Sequence, residues 1–184
     1  GSELQVNATV DNQSSTGLIS IRGSSLIADA GIINAGSIAM TLGDSTIQGD
    51  VNNTGTIQVS GGASATFYDD VTQNGTMQVS SVGSTNSVAV MLGAFSGSGG
   101  FTGGGDLFAL GDLRPGNSPA SVTFGGNLFL GFSSNVFFEL GGLGLGEFDQ
   151  MLITGDLNLT GDLFVSLIDG HTLGFNQQYL IGDI

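Results

Sequence analysis

A short near-repeat runs through the first half of the chain and constrains its fold more than any other feature. Gly17 opens GLISI, Gly36 opens GSIAM, Gly55 opens GTIQV and Gly75 opens GTMQV, so the four glycines are almost evenly spaced. The unit is about 19–20 residues long, within the range of solenoid repeats. IINA, VNNT and VTQN precede the last three of these glycines. The unit is therefore an aliphatic residue, an amide-rich turn, a glycine and a strand with period-two alternation. Ile19 and Ile21, Ile38 and Met40, Ile57 and Val59, and Met77 and Val79 share one face, with Ser20, Ala39, Gln58 and Gln78 on the other. Further apolar positions recur at Ile27, Ile47 and Phe67, and again at Ile32, Val51 and Val71, so that each unit offers three short strands.

A unit this short cannot bury a face alone, but stacked on its neighbours it makes a continuous core and parallel strand ladders. A leucine-rich repeat has a similar length but needs a Leu-rich consensus, which this chain lacks. A sandwich of hairpins also places short strands at regular spacing, yet it does not require like residues at like offsets. Here even the amides recur: Asn34 and Asn53 each lie two residues before a repeat glycine, and Gln73 follows them. Amides about 4.8 Å apart on successive coils can hydrogen-bond in a ladder. The repeat predicts an all-β, right-handed parallel β-helix, with Gly17, Gly36, Gly55, Gly75, Asn34 and Asn53 as its structural positions.

The chain reads as one solenoid in three stretches: regular coils over 3–92, Gly- and Pro-rich irregular coils over 93–125, and longer coils over 126–184. GAFSGSGGFTGGG (93–105) lacks the Lys-Ser/Thr of a phosphate loop and reads as tight turns whose dihedrals suit glycine. The segment 113–124 carries both prolines, Pro115 and Pro119, and is expected to be a surface turn or excursion. Strand pattern returns in NVFFEL (135–140), DQMLITGDLNLTGDLFVSL (149–167) and QQYLIGDI (177–184), with GGLGLGEF (141–148) as a loop. Three features of this part, Pro115-Gly116-Asn117-Ser118-Pro119, Phe148-Asp149-Gln150 and the GDLNLTGDL run from Gly155 to Leu163, form a pattern. It resembles the closing part of bacterial β-helical passenger domains, as in autotransporter-associated strand-repeat proteins and in large surface proteins with a C-terminal sorting tail. The resemblance implies an exported, elongated, extracellular or cell-surface domain of a larger protein. It shows no barrel or sorting tail within the chain and leaves the export route open. The opening Gly1-Ser2 reads as a cloning remnant, in keeping with an excised piece.

Charge narrows the partners. Sixteen acids face only Arg22 and Arg114, for a net charge of −14, and lysine is absent. Nucleic acid and anionic lipid are disfavoured, because phosphate neutralisation needs clustered cations. No apolar run approaches the roughly 20 residues of a membrane-spanning helix, so direct membrane insertion is not expected. With no cysteine and one histidine, His171, which reads as a turn residue in DGHTLG, zinc has no ligand set.

The acids need closer reading. Asp69 and Asp70 are neighbours on the chain and would point to opposite faces of a strand, so they are not a glycosidase pair. Stacking places Asp50 over Asp70, or over Asp69 if the coil is counted from the glycine. Their bland role is that of solvated turn acids; a bridging Ca²⁺, a hard cation needing only oxygen ligands, is the one cofactor left open. Asp149 reads as a structural acid that accepts backbone N–H groups at a turn. No catalytic residue is expected. The expected function is a structural or adhesive surface module, with neighbouring coils or domains of the same protein as partners and end-to-end self-association through its open faces. Its rivals are a glycan-binding or glycan-processing β-helix, with a surface glycan as partner, and a Ca²⁺-dependent assembly module. Tyr68 and Tyr179 are the only tyrosines and there is no Trp, a poor inventory for stacking sugars.

Overall fold

The computed structural model describes residues 1–117 and 119–184; Ser118, within the PGNSP run, lies outside them. Among the described residues there is no helix, and the chain winds through three parallel eight-stranded sheets in sequence order. The third coil shows the pattern: Asp44–Gln48 in the first sheet, Val51–Asn53 in the second and Thr56–Ser60 in the third. Corners of a few residues turn the chain from one sheet to the next. The fold is a β-solenoid, the class the repeat predicts.

Stacking register follows the repeat. In the third sheet Ile19, Ile38, Ile57 and Met77 form one column, and in the second Ile32, Val51 and Val71 form another. Ile38, Ile57 and Met77 are fully buried, each contributing about 1.5–3 kcal/mol by leaving water. The third-sheet column continues through Phe101, Phe124 and Ile153, well beyond the residues where the sequence repeat fades. One sequence reading is corrected. Leu26, not Ile27, lies on Ile47, while Ile27 faces outward over Gln48. The step from Leu26 to Ile47 is one residue longer than the step from Ile47 to Phe67, and a shift of one residue exchanges the two faces of a strand.

The repeat glycines are required by close approach, not by dihedral angle. A Cβ on Gly36, Gly55 or Gly75 would lie 2.5, 2.2 or 2.1 Å from the carbonyl oxygen of the repeat glycine one coil earlier. That carbonyl accepts the N–H of the residue after the next glycine, as in Thr56 to Gly36 and Thr76 to Gly55. The same cause corrects the dihedral reading of 93–105. Only Gly97 and Gly103 there have a positive φ, whereas Gly93, Gly99, Gly104 and Gly105 are crowded by the previous coil.

The Pro-rich segment is only in part the surface turn expected: its described residues between 116 and 120 make a corner, whereas both its ends are strands. Leu113–Pro115 is a strand of the second sheet, with Leu113 and Pro115 facing inward. Gly116 donates to the Gly97 carbonyl, so the N–H that Pro115 lacks falls on the other side of the strand. There the ladder registers only at Leu113↔Val136, and proline costs no bond. Coil length varies widely beyond the regular repeat. The step between the paired residues Val88 and Asp106 is among the shortest. The step between Leu128 and Leu157 is much longer, in agreement with longer coils toward the C-terminus. Among the described residues the parallel order is interrupted by an antiparallel hairpin of Ser81–Val82 and Thr85–Asn86 and by isolated antiparallel bridges at Gly97↔Gly116 and Leu140↔Phe148. In the final coil the strand Asp162–Leu167 is exposed along its whole length.

Candidate functional site

The inward amides form the ladder that the spacing implies, with one member more. Asn12 donates to Asn34 at 2.7 Å, Asn34 to Asn53 at 2.6 Å and Asn53 to Gln73 at 2.8 Å, all through side-chain amides. Asn34, Asn53 and Gln73 are buried. Gln73 Nε2 has no hydrogen-bond partner; the corresponding position of the next coil is Gly97, which has no side chain to continue the row. Asn12 escaped the sequence reading because it stands five residues before Gly17, where Asn34 and Asn53 stand two before theirs.

Turn carboxylates tie coil to coil. Register places Asp50 beneath Asp70, since Val51 pairs with Val71. Asp50 accepts the Asp70 N–H at 3.2 Å, Asp70 accepts the Ala94 N–H at 2.8 Å, and Asp69 reaches back to the Gly49 N–H at 2.6 Å. These three acids thus each accept a backbone N–H from a neighbouring coil. Among the described residues no group of three or more His, Cys, Asp or Glu side chains is arranged to hold a metal ion.

The PGNSP turn and the Phe148-Asp149-Gln150 step, but not the run from Gly155 to Leu163, meet at one groove of about 250 Å³ on the outer face of the second sheet, lined by Arg114, Asn117, Phe137, Glu139, Asp149 and Ser166 among others. Asp149, which lines it, is buried, 3% exposed. One carboxylate oxygen accepts the Ala120 N–H and the other the Glu139 N–H, each at 2.8 Å. The carboxylate therefore binds the end of the PGNSP turn to the strand Asn135–Leu140. Withdrawal from water pushes the Asp149 carboxyl above its ordinary range, while the two N–H donors act in the opposite direction. With both oxygens engaged by backbone donors, the group is built as a tie. Asn117 adds another, donating to Asn74 at 2.9 Å and to Ser98 at 3.2 Å.

The groove also holds residues that sequence reasoning missed. Arg114 lies 3.8 Å above the Phe137 ring, and Phe137 stacks on Phe164 with centroids 5.3 Å apart. Arg114 also makes a long ion pair with Asp112 at 3.4 Å. A cation over an aromatic face is attracted by the ring quadrupole. The steps that align this column, from Leu113 to Val136 and from Val136 to Leu163, differ in length, so no fixed period reveals it. His171 follows a turn, its N–H bonded to the Ile168 carbonyl, and its ring contacts the Tyr179 hydroxyl. No family model, no characterised protein sequence and no solved structure matches the chain.

Proposed function

We propose that this chain is a non-catalytic structural or adhesive module of a larger bacterial cell-surface or secreted protein. The observation that carries the proposal is the use made of its buried and turn polar groups. The amide row from Asn12 to Gln73, the carboxylates of Asp50, Asp69 and Asp70, and Asp149 all bond between coils or turns. Such a device lengthens and stiffens a rod, whereas a catalytic site needs convergent titratable groups free to meet a substrate. The open apolar ends, with Leu4 61% and Val165 51% exposed, suit further coils of the same protein or end-to-end association. The test is turnover of a broad panel of polysaccharides. No product is expected; hydrolysis or elimination abolished by Asp50→Asn or Asp149→Asn overturns the reading.

A glycan-binding role is the second reading, favoured by Arg114 over Phe137 beside Glu139 and Ser166 in one groove, with Phe164 stacked on Phe137. Binding to a glycan array that is lost in Phe137→Ala supports it, and binding that survives this change refutes it.

A further inference from the structure

We propose that the outer face of the first sheet is a docking surface for a cationic amphipathic polypeptide segment of another protein. This surface lies apart from the Asp149 groove, and the inference does not rest on the function proposed above. Solvent-facing columns of a solenoid are ordinarily polar, and this one begins so, with Thr46 paired to Thr66. It then turns apolar, running through Val90, Phe108 and Phe129. The two Phe rings stack nearly parallel, 4.5 Å apart and inclined by 11°.

A second apolar column stands beside it at the corner of the same sheet. The ladder continues one residue beyond the strands, with Tyr68, Leu92 and Leu110 donating to Ile47, Phe67 and Met91 carbonyls and Gly131 to Ala109. Tyr68, Leu92 and Leu110 are 48%, 39% and 37% exposed, and Phe132, next to Gly131, is 88% exposed. Together the two columns place apolar side chains on four successive coils, about 4.8 Å apart, with Val90, Phe108 and Phe129 half-buried and the corner residues exposed. Nothing in the core requires these side chains, since the inward partners on the same strands, Ala89, Leu107 and Leu128, are fully buried. A contiguous exposed apolar surface on a folded domain marks an interaction site.

Charge selects the occupant. On one margin Asp106, held by Asn86 at 2.9 Å and Asn127 at 2.8 Å, projects in the column beside the Phe pair. On the other, Asp70 follows the corner residue Tyr68 by two positions, whereas Asp112, two positions after Leu110, is already paired with Arg114. The chain has no lysine; Arg114 is occupied by Asp112 and Phe137. A second copy brings a like charge of −14, and an anionic bilayer is repelled likewise. A segment with apolar residues along its middle and Lys or Arg along both sides matches both the strip and its margins.

The test uses the whole chain and two fluorescent peptides, one with a Leu stripe at helical spacing flanked on both sides by Lys and one with the same stripe flanked by Glu, read by anisotropy at low and high salt. The Lys peptide is expected to bind and the Glu peptide not, with affinity falling as salt rises. The double variant Phe108→Ser/Phe129→Ser is expected to weaken binding at least about tenfold. Gln58→Ser/Gln78→Ser, on the outer face of the third sheet, is expected to leave it unchanged. Val90→Lys repeats the test with a change that removes no aromatic packing, and circular dichroism checks that each variant is folded. Equal binding by folded Phe108→Ser/Phe129→Ser and Val90→Lys variants overturns the proposal, because attraction to acidic surface in general then accounts for it. Equal binding of the Glu peptide, or a dimer in sedimentation that is abolished by the Phe changes, also overturns it.

Discussion

Asn53→Ala tests whether the amide row is a principal brace of the solenoid. Asn53 is fully buried and sits in mid-row. It accepts from Asn34 at 2.6 Å and donates to Gln73 at 2.8 Å and to the Gly55 carbonyl at 3.3 Å. After truncation Asn34 keeps two acceptors, the Gly36 and Thr56 carbonyls, and Gly55 keeps the Thr76 N–H. Gln73 fares worse: its Oε1 loses the Asn53 donor, and its Nε2 already has no partner. One buried acceptor without a donor costs about 1–3 kcal/mol, and the net loss of the other bonds adds about 1 kcal/mol. A total of about 3 kcal/mol is expected. Asn12→Ala, at the half-exposed end of the row, should cost about 1 kcal/mol, because water can replace what is lost. Urea midpoints at equal m-value, followed by circular dichroism, measure both. Equal destabilisation at the two positions would refute the argument, since only burial and position in the row distinguish them.

Three further outcomes follow from the same structure. Gly55→Ala should be severely destabilising in thermal melts, because its Cβ would lie 2.2 Å from the Gly36 oxygen, whereas Gly83→Ala, with open space around it but a φ of +62°, should cost about 1 kcal/mol. Ile57→Asp buries an unpaired charge between Ile38 and Met77 and should lower stability by several kcal/mol, while Gln58→Asp on the outer face should change it little; similar urea midpoints would mean the facing is wrong. Asp149→Asn presents an amide donor to one of the two N–H groups of Ala120 and Glu139 and should destabilise by about 1–3 kcal/mol. For the wild type, a folded-state pKa raised above the ordinary 3.8 means that this carboxyl's contribution is fully present below that value and is lost as pH rises through the folded-state pKa. The raised pKa therefore predicts that this group's contribution to wild-type stability, read from unfolding curves across this window, declines from acid toward neutral pH, a component that Asp149→Asn lacks.

Local regularity made the first half of the fold legible. Where the coil length stays nearly constant, equal spacing converts directly into vertical stacking, so the columns Ile38–Ile57–Met77 and Ile32–Val51–Val71 and the row Asn34–Asn53–Gln73 could be read from the chain alone. The alternation of apolar with small or amide residues likewise determined which faces turn inward, because strand side chains alternate with period two whatever the surroundings. Ile27 marks the limit: one additional residue in the step between coils reversed its face, and only the pairing with Gln48 shows this.

Tertiary structure decided the rest. Coils as unequal as those joining Val88 to Asp106 and Leu128 to Leu157 carry the same three strands, since corners can shorten or lengthen without disturbing the ladders. The columns Arg114–Phe137–Phe164 and Val90–Phe108–Phe129 therefore have no period to betray them. Pro115 could enter a strand because the neighbouring ladder ends there, a fact about another coil. Asp149 acquires its raised pKa from burial and its two N–H partners from Ala120 and Glu139, both distant along the chain. The sequence by itself determined a stacked, parallel, acidic solenoid, because repetition and alternation are local properties. Which outward residues become neighbours, and hence where a groove or a docking strip can exist, depends on the sum of all corner lengths between them, and that sum takes physical form only when the coils close on one another.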